Sequence, residues 1–138
     1  MFRASMMRTA ERIAAKTGAP AIVTGEALSQ VASQTLDAMA FTDSMTDLVV
    51  LRPLVGLDKE EIIKEAKEIG TYETSILPYE DCCVVFSPKH PITKPVKDTV
   101  RRHYEALGME QFIEEAIANT AVFRFNAKGE ETEDEENC

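Results

Sequence analysis

The sequence is poor in cysteine, in long hydrophobic runs and in positive charge, and each shortage excludes a class of protein. Three cysteines are an odd number without disulfide-framework spacing, which is typical of a reducing compartment. No apolar run approaches the roughly 18 residues of a membrane span. The N-terminal stretch has too short an apolar region for a secretory signal and contains the acidic Glu11. We therefore expect a cytoplasmic protein without a membrane partner.

The net charge of −9 is concentrated in the C-terminal residues. Residues 127–138 contain six acidic residues and one lysine, so we expect this segment to be a disordered, solvated acidic tail. Residues 1–126 carry the remaining −4 and are expected to form one domain. Because this body is not basic, the chain alone is not expected to bind nucleic acid strongly.

Predicted helices and strands alternate along residues 1–126, which is typical of an α/β fold. The short apolar runs 20–24 and 48–52 predict two buried parallel strands. Residues 71–91 are expected to be irregular, and residues 121–125 to form a late edge strand or an extended arm. Helices are predicted over residues 3–16, 29–40, 58–69, 95–107 and 109–118.

Apolar spacing within three of these helices predicts which side chains face a core. In the first helix they are Met6, Ala10, Ile13 and Ala14. In the second they are Val31, Leu36 and Met39. In the third they are Ile62, Ile63, Ala66 and Ile69. Asp58 and Glu61 predict a capping box at the start of this third helix, and Gly70 predicts a C-cap at its end.

This order of elements predicts a partial doubly wound parallel sheet with only two strands. An open sheet of two strands would leave both of its edges bare. Either the chain pairs with a second copy, as a homo-oligomer, or it was cut from something larger. Both interpretations stay open at this point.

The first motif is TGEALSQVASQT at residues 24–35. It follows the first predicted strand, and ligands of α/β sheets bind at the carboxyl ends of strands. Gly25 would let a ligand approach the backbone closely. Gln30, Ser33 and Gln34 would place amides and a hydroxyl near a helix start, able to read a base edge or bind phosphate. The alternative is a polar helix N-terminus that binds no ligand.

The second motif is LRPLVGLDKEEI at residues 51–62, where a strand again ends in a loop that opens a helix. Arg52 and Lys59 flank the position that an anionic ligand would take. A lysine in the first helical turn is unfavourable beside the helix dipole, which indicates a function for Lys59. The alternative is a solvated lysine on a helix rich in lysine and glutamate.

The third motif is EDCCVVF at residues 80–86, with Cys82 and Cys83 side by side. Zinc ligands usually have two to four residues between them, and a disulfide between neighbours would be strained. We therefore predict no metal site here, and a nucleophilic thiolate or two inert buried cysteines remain as alternatives. Glu80 and Asp81 would raise the pKa of a nearby thiol.

Taken together, IVTGEALSQVASQT, LRPLVGLDKEEIIKEAKEIGTYE and PYEDCCVVFSPKHPITKP closely resemble the tRNA 4-thiouridine synthase family, ThiI. The resemblance covers roughly residues 1–118, and the three motifs in this order are more specific than any one alone. It implies the C-terminal half of a PP-loop ATP pyrophosphatase domain with the adenine-nucleotide α-hydrolase fold.

The same resemblance implies an ATP-dependent tRNA sulfurtransferase. Such an enzyme adenylates the O4 of a tRNA uridine, and persulfide sulfur from a cysteine desulfurase then replaces the activated oxygen. In some bacteria the protein also supplies sulfur for the thiamine thiazole. The implied cofactor is ATP with Mg²⁺, and the implied partners are tRNA and the desulfurase.

Position by position, the resemblance implies three ATP-contacting residues: Arg3, Gly25 and Gln34. Lys59 matches a lysine that is needed for activity and directed at phosphate. Cys83 matches the cysteine that attacks or carries sulfur, whereas Cys82 has no universal counterpart. We treat Cys82, Arg52 and Gln30 as auxiliary candidates.

The departures from the family pattern concern what the chain lacks. The PP-loop, an SGGxDS-like stretch, is absent from the 138 residues, as are the N-terminal tRNA-binding domains. The opening residues look like a start placed inside a parent domain, so we expect a fragment that does not thiolate tRNA alone. The alternative is a stand-alone persulfide carrier or dimerising interaction module without a nucleotide site.

Overall fold

The computed structural model describes residues 1–28, 34–79 and 94–132. None of the helices in these ranges is long and apolar enough to cross a membrane. The elements are α1 (Phe2–Thr17), β1 (Ala21–Val23), α2 (Leu36–Asp43), β2 (Val49–Leu51), α3 (Lys59–Glu68), α4 (Tyr72–Ser75), α5 (Lys97–Ala106), α6 (Glu110–Ala118), β3 (Arg124–Phe125) and β4 (Glu131–Thr132).

Strands β1 and β2 form a parallel sheet in which Ile22 is paired with Val50, so the predicted α/β class with a partial parallel sheet is confirmed. One face of the sheet packs on the core through Ile22. The other face carries Val23, Val49 and Leu51, which are 66%, 63% and 50% exposed. The prediction of two fully buried strands is wrong for this face, because no described element covers it.

The core lies where α1, α2 and α5 meet the sheet. In α1 the buried side chains are those of Ala4, Met7 and Ala14, whereas Met6 and Ile13 are 53% and 39% exposed. The predicted stripe is therefore wrong at those two positions, since a shift of one residue turns a helix by about 100°. The buried core cluster consists of Ala4, Met7, Ile22, Phe41, Met45 and Tyr104.

Helix α2 begins at Leu36, later than the predicted start at residue 29. Thr35 is its N-cap, with extended backbone and a side-chain oxygen that accepts a 3.2 Å hydrogen bond from the N–H three residues later. Gln34 therefore precedes the helix. Leu36 is 69% exposed, so its predicted place in the core is wrong, while Met39 is buried as predicted. Val31 lies outside the described residues.

Helix α3 begins with the predicted capping box. Asp58 Oδ1 accepts hydrogen bonds of 2.9 Å from the N–H groups of Glu60 and Glu61. Glu61 Oε2 in turn accepts a 2.8 Å bond from the N–H of Asp58. The C-cap is Ile69, one residue before the predicted cap Gly70, which follows it with a φ of 73°. The predicted buried stripe is only half-buried, and Ile69 is 71% exposed.

A short helix interrupts the stretch 71–91 that was expected to be irregular. Helix α4 packs against α3. The Nζ of Lys67 lies 4.8 Å from the centre of the Tyr72 ring, a cation–π contact that ties the two helices together. Residues 80–93 lie outside the described ranges.

Strands β3 and β4 form a separate antiparallel hairpin, with Arg124 opposite Thr132. Asn126 Oδ1 accepts hydrogen bonds from the N–H groups of Lys128 and Glu130 and so closes the turn. The predicted boundary between residues 126 and 127 therefore falls inside this exposed hairpin. Residues 133–138 lie outside the described ranges, and the division into domain and tail stays a prediction.

Candidate functional site

The loops that follow β1 and β2 are joined to each other at the carboxyl edge of the sheet. The N–H of Thr24 donates to the carbonyl of Leu51 at 3.0 Å, and that of Leu28 donates to the carbonyl of Val55 at 3.2 Å. These bonds bring the first two sequence motifs to the same edge. Open α/β sheets bind ligands at this edge.

Gly25 lies in the first of these loops. A Cβ added at this position would meet no protein atom within 4 Å, so packing does not require a glycine there. The missing side chain instead leaves the backbone open on that side.

A buried carboxylate lies next to Gly25, on Glu26, which is 7% exposed. Its Oε2 accepts a 2.7 Å hydrogen bond from Arg52 Nε and a 3.1 Å bond from the Thr24 hydroxyl. Its Oε1 forms an ion pair with Arg3 Nη2. One carboxylate is thus shared between two guanidinium groups from different parts of the chain.

Arg52 also contacts Asp43 at the end of α2. Arg3, Glu26, Arg52 and Asp43 thus form one strand-end network of ion pairs. The two Nη atoms of Arg52 donate to the carboxylate of Asp43, one of them at 3.4 Å to Oδ2. The side chain of Arg52 is 12% exposed and that of Asp43 is 47% exposed. Positive and negative charges alternate along this series. The two outer side chains, of Arg3 and Asp43, are more exposed than the two between them.

Burial lowers the pKa of Arg3, and the positive charge of Arg52 lowers it further, while Asp43 opposes this shift. An arginine under these conditions is still protonated at neutral pH. The shift therefore reports a desolvated cation close to a second cation. Such a pair is favourable only beside carboxylates, which Glu26 and Asp43 provide.

Gln34 lies in the turn before α2, and its side-chain Oε1 is buried without a hydrogen-bond partner among the described residues. A buried acceptor without a partner is costly, and such groups are uncommon in folded proteins. A donor on a bound ligand would satisfy this atom. The neighbouring residues 29–33, which include the auxiliary candidate Gln30, lie outside the described ranges.

Lys59 is the first residue of α3 and is exposed. Its ammonium forms no ion pair with any residue of the described ranges. The capping box of Asp58 and Glu61 fixes the backbone on both sides of it. The structure thus anchors Lys59 beyond the loop that follows β2, without bringing it into contact with the arginines.

The third motif cannot be placed, since Cys82 and Cys83 lie outside the described residues. Sequence reasoning also missed two members of the network, Glu26 and Asp43. The signal for Glu26 was its position, directly after Gly25 and opposite an arginine at the end of the next strand. Asp43 carried no comparable signal, because it lies at the end of a helix predicted to stop at residue 40.

The described carboxylates at this edge do not fit a Mg²⁺ site. Glu26 and Asp43 are both paired with arginines, whereas Mg²⁺ is usually held by carboxylates that are free to coordinate, together with phosphate and water. In the described ranges no group of three His, Cys, Asp or Glu side chains could hold a metal ion.

A family model described as "Thiamine biosynthesis protein (ThiI)" matches residues 1–109. The chain belongs to the ThiI family. Among its relatives, the probable tRNA sulfurtransferase of Acetivibrio thermocellus is 53% identical over 122 residues, which is 88% of this chain and 31% of the relative. That of Brevibacillus brevis is 46% identical over 132 residues, which is 96% of this chain and 33% of the relative.

The fold also matches a solved structure. The crystal structure of a 4-thiouridine synthetase–RNA complex with bound ATP superposes with a TM-score of 0.78 at 48% identity. The match covers 86% of this chain and 31% of that protein. The chain spans about a third of the length of the relatives that it matches.

Proposed function

We propose that the chain provides the C-terminal nucleotide-binding and sulfur-transfer part of an ATP-dependent tRNA sulfurtransferase that makes 4-thiouridine. The observation that carries this proposal is the pairing of Arg3 with Glu26, directly beside Gly25, at the carboxyl edge of the sheet. This geometry gathers two of the three residues that the family resemblance implies as ATP contacts. A relative with bound ATP and RNA has the same fold, which supports the assignment.

In the proposed reaction the uridine O4 attacks the α-phosphorus of ATP, and pyrophosphate leaves. Arg3 would offset phosphate charge at the strand ends, where a desolvated guanidinium interacts strongly with an anion. Gly25 would let the nucleotide approach the backbone. The unsatisfied Oε1 of Gln34 would accept a hydrogen bond from a donor on the nucleotide.

Lys59 would act on the phosphates as a mobile point charge, since its side chain is exposed and its backbone is fixed by the capping box. Arg52, an auxiliary candidate, has its guanidinium occupied by Glu26 and Asp43. We therefore assign Arg52 to the support of the site and Lys59 to the phosphates. Mg²⁺ would have to be held by phosphates or by groups other than Glu26 and Asp43.

Sulfur transfer is assigned to Cys83 on the family resemblance. In one route the Cys83 thiolate attacks the inner sulfur of a donor persulfide and forms a disulfide with it, and the sulfide so released attacks C4 of the adenylated uridine. In the other route the terminal sulfur of a Cys83 persulfide attacks C4, and a second thiolate then breaks the S–S bond by forming a disulfide with Cys83. In both routes AMP leaves with the former O4, and Cys82 is a candidate helper. We further propose a cysteine desulfurase as the sulfur source and thiamine thiazole as a second destination of the sulfur.

A chimera tests this function directly. The 138 residues would replace the matching segment of the Acetivibrio thermocellus relative, which is 53% identical. We expect the chimera to form 4-thiouridine in tRNA with ATP and a sulfur donor, measured by the near-ultraviolet absorbance of the thiolated base. We expect the 138-residue chain alone to be inactive, since the SGGxDS-like stretch is absent from it.

The control is a Lys64→Ala chimera, which removes an exposed lysine of the same helix, five positions from Lys59. It should thiolate like the unmodified chimera, whereas Lys59→Ala should lose most activity. A folded chimera without activity, beside an active relative, would contradict the proposed function.

A further inference from the structure

Glu26 has a role that the proposed ATP contacts do not explain. Its carboxylate is buried, and its two oxygens are divided between two arginines, Oε1 to Arg3 and Oε2 to Arg52. Arg52 is in turn held by Asp43, so it is fixed from both sides. Arg3 is held at the end of this series, and 26% of its side chain remains exposed.

We propose that Glu26 is a positioning residue that fixes the Arg3 guanidinium at the nucleotide edge, an inference that rests on the proposed function. Arg3 is the second residue of α1, and its side chain has to reach across to the loop after β1. A long side chain with several rotatable bonds loses much entropy when it is held. Because Glu26 already holds Arg3 in place, the side chain of Arg3 loses little further entropy when the nucleotide binds.

The network is not needed to close this edge of the sheet. Two backbone hydrogen bonds, from Thr24 to Leu51 and from Leu28 to Val55, already join the two loops. Buried ion pairs often contribute little net stability compared with apolar residues of similar volume. Four charged side chains here are therefore better explained by a requirement for an oriented cation than by stability.

Positioning and simple neutralisation predict opposite results for Glu26→Gln. This variant removes a negative charge beside two arginines and makes the edge more positive. If Glu26 only neutralised the arginines, the variant would bind polyphosphate more tightly. If Glu26 positions Arg3, the variant binds ATP more weakly in spite of the added positive charge.

The first experiment measures ATP binding to the chimera by calorimetric titration, since the SGGxDS-like stretch is absent from the 138-residue chain. We expect Glu26→Gln to weaken binding by about tenfold, because the neutral amide loses the charge that pairs with Arg3 and leaves its guanidinium less ordered. Glu26→Asp keeps the charge but is one methylene shorter, so it should fold and bind with intermediate affinity. Equal or tighter binding by a folded Glu26→Gln or Glu26→Asp chain overturns the inference.

The matched control is Glu11→Gln, which removes one negative charge from a partly buried carboxylate of α1. Glu11 contacts Thr46, the N–H of Asp47 and Arg8, away from the strand-end network. ATP affinity should stay within about twofold in this variant, because only a non-contacting charge is lost. A loss equal to that of Glu26→Gln would show that the effect is not specific to the carboxylate that holds Arg3 and would overturn the inference.

The second experiment does not depend on ATP. The side-chain ¹⁵Nε signal of Arg3, assigned with Arg3→Lys, should have a high heteronuclear NOE in the wild-type chain and a low one in Glu26→Asp. An unchanged NOE in that variant overturns the inference. If the unmodified chimera binds no ATP, the proposed nucleotide role of this chain fails, while the order of the Arg3 side chain still decides what Glu26 does.

Discussion

Arg52 Nε donates a 2.7 Å hydrogen bond to Glu26 Oε2 and thereby joins the residue after β2 to the loop after β1. Both side chains are nearly buried, at 12% and 10% exposed. The bond lies at the edge where α/β sheets bind ligands. Because a charge in one loop is paired with a charge in the other, we expect a substitution in either loop to alter the position of the charged side chain in the other.

Replacement of Arg52 by Gln should destabilise the fold. Asp43 would lose its guanidinium, and Glu26 would keep only Arg3. Breaking a buried pair costs about 3–5 kcal/mol, and we expect the lower end because one cation remains. Urea unfolding followed by circular dichroism measures this loss. The control Lys64→Ala breaks an exposed 3.8 Å pair with Glu68 and should cost less than about 1 kcal/mol; equal losses would contradict a buried network.

Stability should fall in acid partly through Glu11. Burial raises the pKa of Glu11, but the hydrogen bonds from the Asp47 N–H and the Thr46 hydroxyl and the charge of Arg8 lower it below its ordinary value overall. A carboxyl with a lowered folded-state pKa stabilises the fold above the unfolded-state pKa of about 4.3. This contribution is lost as the pH falls through the folded-state pKa.

Urea unfolding at pH 7 and at successively lower values down to about pH 3 checks this prediction. Glu11→Gln should be less stable than the wild type at pH 7, and the two should converge in acid. The amide oxygen of Gln can still accept the bonds from Thr46 and Asp47, so the difference reports the charge. Parallel curves over the whole range would show that Glu11 is not responsible.

The capping box should order the backbone beside Lys59. Asp58→Ala removes the acceptor for two N–H groups of the first turn and should cost about 1 kcal/mol. Amide hydrogen exchange at Glu60 and Glu61 should accelerate. The control Glu60→Ala changes an acidic residue of the same turn whose side chain makes no capping bond in the described structure. Unchanged exchange in Asp58→Ala would mean that the cap does not hold this turn.

Self-association should occur through the uncovered face of the sheet. Val23, Val49 and Leu51 lie on that face and are largely exposed, so their burial against a second copy would be favourable. We expect sedimentation velocity to detect a concentration-dependent oligomer. Val23→Lys should shift it to monomer, whereas Leu107→Lys, which replaces an exposed leucine at the C-cap of α5, should not. A well-folded wild-type monomer at high concentration would contradict the prediction.

The local rules that could be applied to the sequence were reliable where a few neighbouring residues decide the structure. The capping box depends on Asp58 and Glu61, three positions apart, and it is confirmed. The two apolar runs became parallel strands because β-branched residues suit that pairing. The same two strands predicted that Gly25 and Arg52 lie at the carboxyl edge of the sheet, and the structure places them there.

Features that depend on distant residues could not be predicted from the sequence. Glu26 becomes a buried carboxylate only because Arg3 and Arg52 arrive from two other segments. The burial of Val23 was overestimated, since a pattern of apolar residues does not reveal whether a second layer covers them. The start of α2 was placed too early because Thr35 caps the helix within a polar stretch that also suits a helix interior.

The most direct test of the account is ATP–pyrophosphate exchange by the chimera that carries these 138 residues, measured with tRNA present. The chimera and its Cys83→Ser variant should both exchange pyrophosphate, because adenylation precedes sulfur transfer, while only the chimera with Cys83 should form 4-thiouridine. Lys59→Ala should lose both activities. A folded chimera that exchanges no pyrophosphate, or a Cys83→Ser variant that thiolates tRNA normally, would contradict the assignment of this chain to nucleotide activation and sulfur transfer.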